Sequence, residues 1–329
     1  MLLAIAAVIG GLAALTYGAD RFVDGAAVLA ERLGLGALVV GIVVVGFSTS
    51  APEMLVSAIA SLDGRPSIAV GNALGSNITN IALVVGVTVL VCPLTVFSRV
   101  LYREMPVMIA SVVLASGLLV LGKLGRNDGV VMLIALALAL AAMLWSAVHA
   151  SLSDPLVEDL EEAEAEIPEL SLPTAIGVLC LGLILLIAGS RALVYGATII
   201  ARFFDVPELV IGLTVVAIGT SLPELAASVA GARRGHPELA LGNIIGSNVF
   251  NALGVLAMPA LIAPGPVDRA AVVRDVPVMV FLSVLLFAVA FSRHDQARID
   301  RRAGTALIAC FVAYQVMLYF GVGNPAPRP

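Results

Sequence analysis

The chain has 329 residues, 60% of them hydrophobic and 12% charged, with a net charge of −5. That is about half the charge a soluble domain carries, so the expected solvent is lipid. No basic tract or aromatic–basic interleaving points to a nucleic-acid partner, and Cys92, Cys180 and Cys310 lie far apart in apolar runs without metal-ligand spacing.

In chain order, ten apolar segments are predicted at about 1–19, 35–61, 67–92, 104–122, 128–148, 172–190, 206–231, 237–262, 273–291 and 303–321. Most are near the ~20 residues that span a bilayer as a helix. The first segment lacks a basic region and a clear small-residue cleavage site, and a similar segment recurs at 172–190. It therefore reads as a structural helix and not as a signal peptide. The first and sixth helices are expected to run on past their charged ends, at Asp20, Arg21 and Asp24 and at Arg191. The only long connection is 149–171; its stretch from 154 to 169 holds eight acids and no base. It lacks the alternating ligands and central glycine of an EF-hand and reads as a solvated linker, the alternative being a weak calcium-sensing role.

This linker divides the chain into five-helix halves, 1–148 and 172–329, and the halves are related. Sliding the sequence by 171 residues puts Gly18 on Gly189, Gly25 on Gly196, Thr49-Ser50 on Thr220-Ser221, and Pro52-Glu53 on Pro223-Glu224. It also puts Gly71-Asn72 on Gly242-Asn243, Gly75-Ser76-Asn77 on Gly246-Ser247-Asn248, and Asn80 on Asn251. Between 46 and 80, 14 of 35 positions are identical, and most are polar, Gly or Pro. Five helices is an odd number, so the second half must enter from the opposite side of the membrane. The expected fold is an all-α integral membrane protein, with ten transmembrane helices arranged as two inverted-topology repeats of five. Connections on the side of the acidic linker carry ten Lys/Arg, and the termini and remaining connections carry eight. By a slim margin this places the linker in the cytoplasm and the termini in the periplasm, in an inner membrane.

Glu53 and Glu224 lie in the middle of apolar helices. A charge at membrane depth costs at least ~2.5 kcal/mol, so each should face a cavity or a partner; the alternative is a glutamate that snorkels to water. Thr49 and Ser50 precede Glu53 by four and three residues, on one helix face, and Thr220, Ser221 and Glu224 repeat the pattern. Ser76 and Asn80 are one helical turn apart, as are Ser247 and Asn251. Oxygen ligands without His or Cys suit hard cations such as Ca²⁺ and Na⁺. Pro52 and Pro223 should kink their helices and free the carbonyls of Ser48 and Gly219 as further ligands, although prolines in membrane helices often do no more than bend them. Gly71-x3-Gly75 and Gly242-x3-Gly246 read chiefly as close-packing surfaces. Asn72, Asn77, Asn243 and Asn248 read equally as helix-to-helix hydrogen-bond partners or as ligands. His149, His236 and His294 fall in connections or at helix ends and are not expected to act in the site.

Gly46-Phe-Ser-Thr-Ser-Ala-Pro-Glu53 and Ala217-Ile-Gly-Thr-Ser-Leu-Pro-Glu224 resemble the paired motif of the sodium/calcium exchanger family, prokaryotic type, within the calcium:cation antiporters. Gly71-Asn-Ala-Leu-Gly-Ser-Asn-Ile-Thr-Asn80 and Gly242-Asn-Ile-Ile-Gly-Ser-Asn-Val-Phe-Asn251 are similar to its second motif. The resemblance covers nearly the whole chain. It implies secondary antiport of Ca²⁺ against Na⁺ by alternating access, with the first and sixth helices moving against the other eight. It implies ion ligands from the side chains of Thr49, Ser50, Glu53, Ser76, Thr220, Ser221, Glu224 and Ser247, with Asn80 and Asn251 nearby and main-chain carbonyls at Gly46 and Ala217. It implies no cofactor, no enzymatic activity and no obligatory protein partner. Several members have Asp where this chain has Asn251, so the site holds two formal negative charges. Two charges balance one Ca²⁺ or two Na⁺; a third Na⁺ would leave about +1 in a poorly solvated place. The alternative is a proton-coupled exchanger. Such relatives often carry Glu where this chain has Gly75 and Gly246. An intramembrane protease would need a catalytic pair that is missing at membrane depth, and a passive channel fits a two-fold repeat of ligand helices less well.

Overall fold

The computed structural model describes residues 1–34, 36–96, 100–148, 168–205, 217–291 and 298–321. Most of the acidic linker, the first part of the seventh segment, His149 and His294 lie outside the described residues. The helices are α1 (Leu2–Leu33), α2 (Ala37–Leu62), α3 (Pro66–Val91), α4 (Val100–Val120), α5 (Arg126–Val148) and α6 (Leu172–Phe203). The chain continues through α7 (Ala217–Thr220 and Leu222–Arg233), α8 (Pro237–Ile262), α9 (Ala271–Phe291) and α10 (Arg301–Tyr319). Among the described residues nine of these are long and apolar enough to cross a membrane, α7 being described only from Ala217. Four two-residue strands, absent from the sequence reading, tie the halves together: β1 (Leu94–Thr95) pairs with β4 (Arg298–Ile299), and β2 (Lys123–Leu124) with β3 (Gly265–Pro266).

As expected, α1 and α6 run past their charges, each to 32 residues. At 1.5 Å per residue each is about 48 Å long, well beyond the ~30 Å of hydrocarbon, so both tilt or project. They pack on each other along a stripe of small residues spaced by seven: Ala4, Gly11, Gly18 and Gly25 against Ala175, Gly182, Gly189 and Gly196. A Cβ on Gly11 would stand 2.7 Å from the Gly189 carbonyl, one on Gly18 would stand 3.0 Å from the Gly182 carbonyl, and one on Gly25 would stand 2.8 Å from the Ala175 carbonyl. Partner numbers fall as the first numbers rise, so the two helices run antiparallel.

The centre of the molecule belongs to α3 and α8, whose most apolar windows are 72% and 89% buried. Each follows a tight turn from the helix before it. Gly64 and Gly235 take left-handed φ of 72° and 79°, and Pro66 and Pro237 start the new helices, where a missing N–H costs nothing. Wide helical turns interrupt α3 at Asn80–Val85 and α8 at Phe250–Val255, at matching places in the two halves. Where α3 and α8 cross, the fully buried Asn77 and Asn248 meet: with its amide nitrogen turned towards α8, Asn77 donates to Asn248 Oδ1 at 2.7 Å.

Candidate functional site

Glu53 and Glu224 are 2% and 1% exposed, which removes the snorkelling alternative. The charge of Glu53 acts on Glu224. None of their four carboxylate oxygens has a hydrogen-bond partner. The buried Asp24 and Asp275 differ: Arg234 and Arg21 hold the first, Arg274 and Tyr314 the second. The orphaned atoms extend to Ser50 and Ser221 Oγ and to the Oδ1 and Nδ2 atoms of Asn80 and Asn251, all buried. A buried polar atom without a partner costs about 1–3 kcal/mol, so ten of them from six residues in matched positions describe a site built for something else to fill. Eight of the ten are hard oxygens, and the other two are the amide nitrogens of Asn80 and Asn251. Among the described residues no group of three or more His, Cys, Asp or Glu forms a soft or highly charged metal site.

Local backbone structure presents these atoms. Thr49, Ser50 and Glu53 share one face of α2. Asn80 and Asn251 stand within or at the start of the wide turns of α3 and α8; such turns leave the helical ladder loosened at functional positions. Where α2 meets α8, Thr49 Oγ1 lies 3.1 Å from Asn243 Oδ1, 3.2 Å from Ser247 Oγ and 3.4 Å from the Gly46 carbonyl. Ser247 Oγ is 3.5 Å from the same carbonyl. The structure thus brings Gly46, Thr49 and Ser247 together, as the motif implies. Ser76 is buried and Thr220 half-buried, while Ala217 opens the described part of α7 and nothing further is described of its side chain.

The asparagines of the Gly-Asn pairs act between helices. Asn72 Nδ2 donates to the Glu53 carbonyl at 3.1 Å and to Ser57 Oγ at 3.0 Å. Asn243 Nδ2 donates to the Glu224 carbonyl at 3.2 Å and to Ser228 Oγ at 2.9 Å. Each fixes the backbone that carries a carboxylate. Ser57 and Ser228 were not singled out by the motif reading, though they fall on each other in the 171-residue alignment.

The prolines behave differently in the two halves. α2 continues through Pro52, whereas α7 breaks at Ser221, two residues before Pro223. The Gly219 carbonyl, expected as a freed ligand, instead accepts from Ser190 Oγ of α6 at 2.5 Å. The glycines differ likewise. A Cβ on Gly242 or Gly246 would collide with the α2 backbone, but among the described residues nothing lies within 4 Å of one on Gly71 or Gly75.

A cavity of about 270 Å³ reaches Glu53 between α2, α3, α6 and α7, lined among others by Pro52, Val56, Asn72, Arg191 and Val194. At the symmetry-related place α1 packs along α7, and Ala19, Val23 and Ala227 are buried in one apolar cluster. One approach to the carboxylates is therefore open and its counterpart is filled.

The family model described as sodium/calcium exchanger protein matches residues 3–145 and 174–320. Inner membrane protein YrbG of Escherichia coli (strain K12) is 42% identical over 323 residues, spanning 97% of this chain and 98% of its own length. Sodium/calcium exchanger MaX1 of Methanosarcina acetivorans is 30% identical over 341 residues, spanning 94% of this chain and 97% of its own. A solved structure of the sodium-calcium exchanger NCX_Mj, soaked with zero Na⁺ and Ca²⁺, matches with a TM-score of 0.81 at 32% identity, over 96% of this chain and 99% of that one. The chain belongs to the sodium/calcium exchanger family, and is a multi-pass membrane cation antiporter.

Proposed function

We propose that the protein exchanges Ca²⁺ for Na⁺ by alternating access, with both ions held between α2, α3, α7 and α8. The observation that carries this reading is the set of orphaned buried oxygens on Glu53, Glu224, Ser50, Ser221, Asn80 and Asn251. Glu53 and Glu224 supply two negative charges, matched to one Ca²⁺ or two Na⁺. Thr49, Ser50, Ser76, Thr220, Ser221 and Ser247 supply neutral oxygens, the side-chain oxygens of Asn80 and Asn251 flank them, and the Gly46 and Ala217 carbonyls complete the set. Alternating access is supported by the cavity that reaches Glu53 while its counterpart is packed shut. The antiparallel run of α1 against α6 supports two inverted repeats, 1–148 and 172–329, joined by a cytoplasmic linker at 149–171.

The test is ⁴⁵Ca²⁺ uptake into proteoliposomes under an imposed sodium gradient, with a proton gradient as control. Uptake driven by sodium and insensitive to the proton gradient is expected. Uptake driven by protons alone would replace this reading with proton-coupled exchange, and uptake without counterflow would make the protein a channel.

A further inference from the structure

Ion pairs span the closed approach. Arg234, at the end of α7, donates from Nε to Asp20 Oδ1 of α1 at 3.1 Å and also binds Asp24, which keeps a second contact with Arg21 at 3.4 Å. The 171-residue shift carries Asp20 onto Arg191 of α6 and Arg234 onto Asp63 at the end of α2. Both charges invert, so the attraction would survive; inverting one alone would have made the pair repel. The two turns that carry Asp63 and Arg234 also share their geometry. Arg65 has φ −118° and ψ 57°, and His236 has φ −112° and ψ 63°.

This second pair is not formed. Arg191 is exposed on the wall of the open cavity and makes no ion pair among the described residues. Asp63 is bound instead by its neighbour Arg65 at 2.8 Å, with the two side chains 50% and 61% exposed. The approach spanned by the formed pair is the closed one, and the approach flanked by the unformed pair is the open one.

We propose that Asp20–Arg234 and Arg191–Asp63 are alternative ion pairs, each formed in one of the two access states and broken in the other. These four are positioning residues: they set where α1 and α6 rest and touch no transported ion. Exposed ion pairs are worth little, so giving up the contact of Asp63 with Arg65, at 50% and 61% exposed, costs less than a pair such as Asp20–Arg234, at 42% and 35% exposed, contributes. The proposal rests on the alternating-access reading above.

The experiment uses the full chain with Cys92, Cys180 and Cys310 replaced by serine, carrying either Val194→Cys, on the open cavity, or its equivalent Val23→Cys, on the closed side. An impermeant maleimide is applied from each side of oriented vesicles. The two cysteines should react from opposite faces. Arg234→Ala should raise the ratio of Val23→Cys to Val194→Cys labelling at least about fivefold, because it removes the Asp20 pair and one of the two partners of the buried Asp24. Asp63→Ala should lower that ratio by a smaller factor, because it also removes the Arg65 contact of the open state. Asp63→Arg should act like Asp63→Ala, and adding Arg191→Asp should restore the parental ratio, which a folding defect would not do. An unchanged ratio, shifts of the same sign in both single variants, or a charge swap that fails to restore would overturn the ion-pair exchange while leaving alternating access standing. Labelling of both cysteines from one face would overturn alternating access, and the ion-pair exchange with it.

Discussion

Glu53→Gln removes one of two buried charges while keeping the shape of the side chain. Burial at 2% and the lack of any partner mean that little protein or water screens this carboxylate from a bound ion. At about 4 Å and an effective dielectric of ~20, a unit charge contributes ~4 kcal/mol to a monovalent ion and twice that to Ca²⁺. The amide oxygen still ligates, so half of each figure is the working estimate. Ca²⁺ should lose ~4 kcal/mol, about a thousandfold in affinity, and Na⁺ ~2 kcal/mol, about thirtyfold. The unliganded protein should become more heat-stable, because an unpaired buried carboxylate is costly. Glu224→Gln, at 1% exposure, should behave alike, and both should abolish calcium exchange. Equilibrium ⁴⁵Ca²⁺ and ²²Na⁺ binding to purified protein, with thermal unfolding in ion-free buffer, measures all three quantities. A loss of Ca²⁺ affinity under tenfold, or an equal loss for both ions in a folded variant, would refute the assignment of this carboxylate to the site.

Asn243→Ala should destabilise the protein by about 2 kcal/mol or more, because it removes the donor to Ser228 Oγ and to the Glu224 carbonyl and one acceptor shared by Thr49 and Ser247, all in a fully buried place; thermal unfolding checks this, and Asn72→Ala, which is only part-buried, should cost less. Gly182→Leu should separate α1 from α6 and stop transport, since even a Cβ there would lie 2.7 Å from the Gly18 carbonyl, whereas Gly177→Leu, open on its own stretch of α6, should be silent in the same ⁴⁵Ca²⁺ assay. Asn251→Asp should tighten cation binding, slow release and add a pH-dependent step; superimposable pH profiles of calcium affinity and exchange rate in the two proteins would remove residue 251 from the site's electrostatic reach. Burial, and then the Arg234 charge, lower the pKa of His236 from 6.5, so the unfolded chain takes up its proton first. Stability should fall as pH drops below about 6.5, and His236→Gln should flatten that slope in thermal scans.

Composition and the 171-residue self-similarity were enough to read the ten helices and the paired carboxylates, because a charge in an apolar run and a repeated polar cluster are both local facts. Helix lengths beyond the lipid thickness were legible from the charges at Asp20 and Arg191. The wide turns at Asn80 and Phe250 were not, since no residue type encodes an i→i+5 hydrogen bond. Nor was the capture of the Gly219 carbonyl by Ser190, which depends on how α6 lies against α7. The pairing of Asp20 with Arg234 needed the same knowledge, as the two stand 214 residues apart in the chain. The seam between α1 and α6 is a different case. Its small residues recur every seven positions in the sequence, at Gly11, Gly18 and Gly25 and again at Gly182, Gly189 and Gly196.

That seam is isologous in the sense used for symmetric dimers: if residue i of one half meets residue j of the other, then the counterpart of j meets the counterpart of i. Gly11 touches Gly189, and Gly18, which corresponds to Gly189, touches Gly182, which corresponds to Gly11. A half-length chain therefore carries both sides of its own interface, and a copy of it inserted upside down would find the same surface waiting. Such a chain would have to enter the membrane in either orientation, which only a weak bias of basic residues permits. The near balance of ten basic residues against eight still has that character.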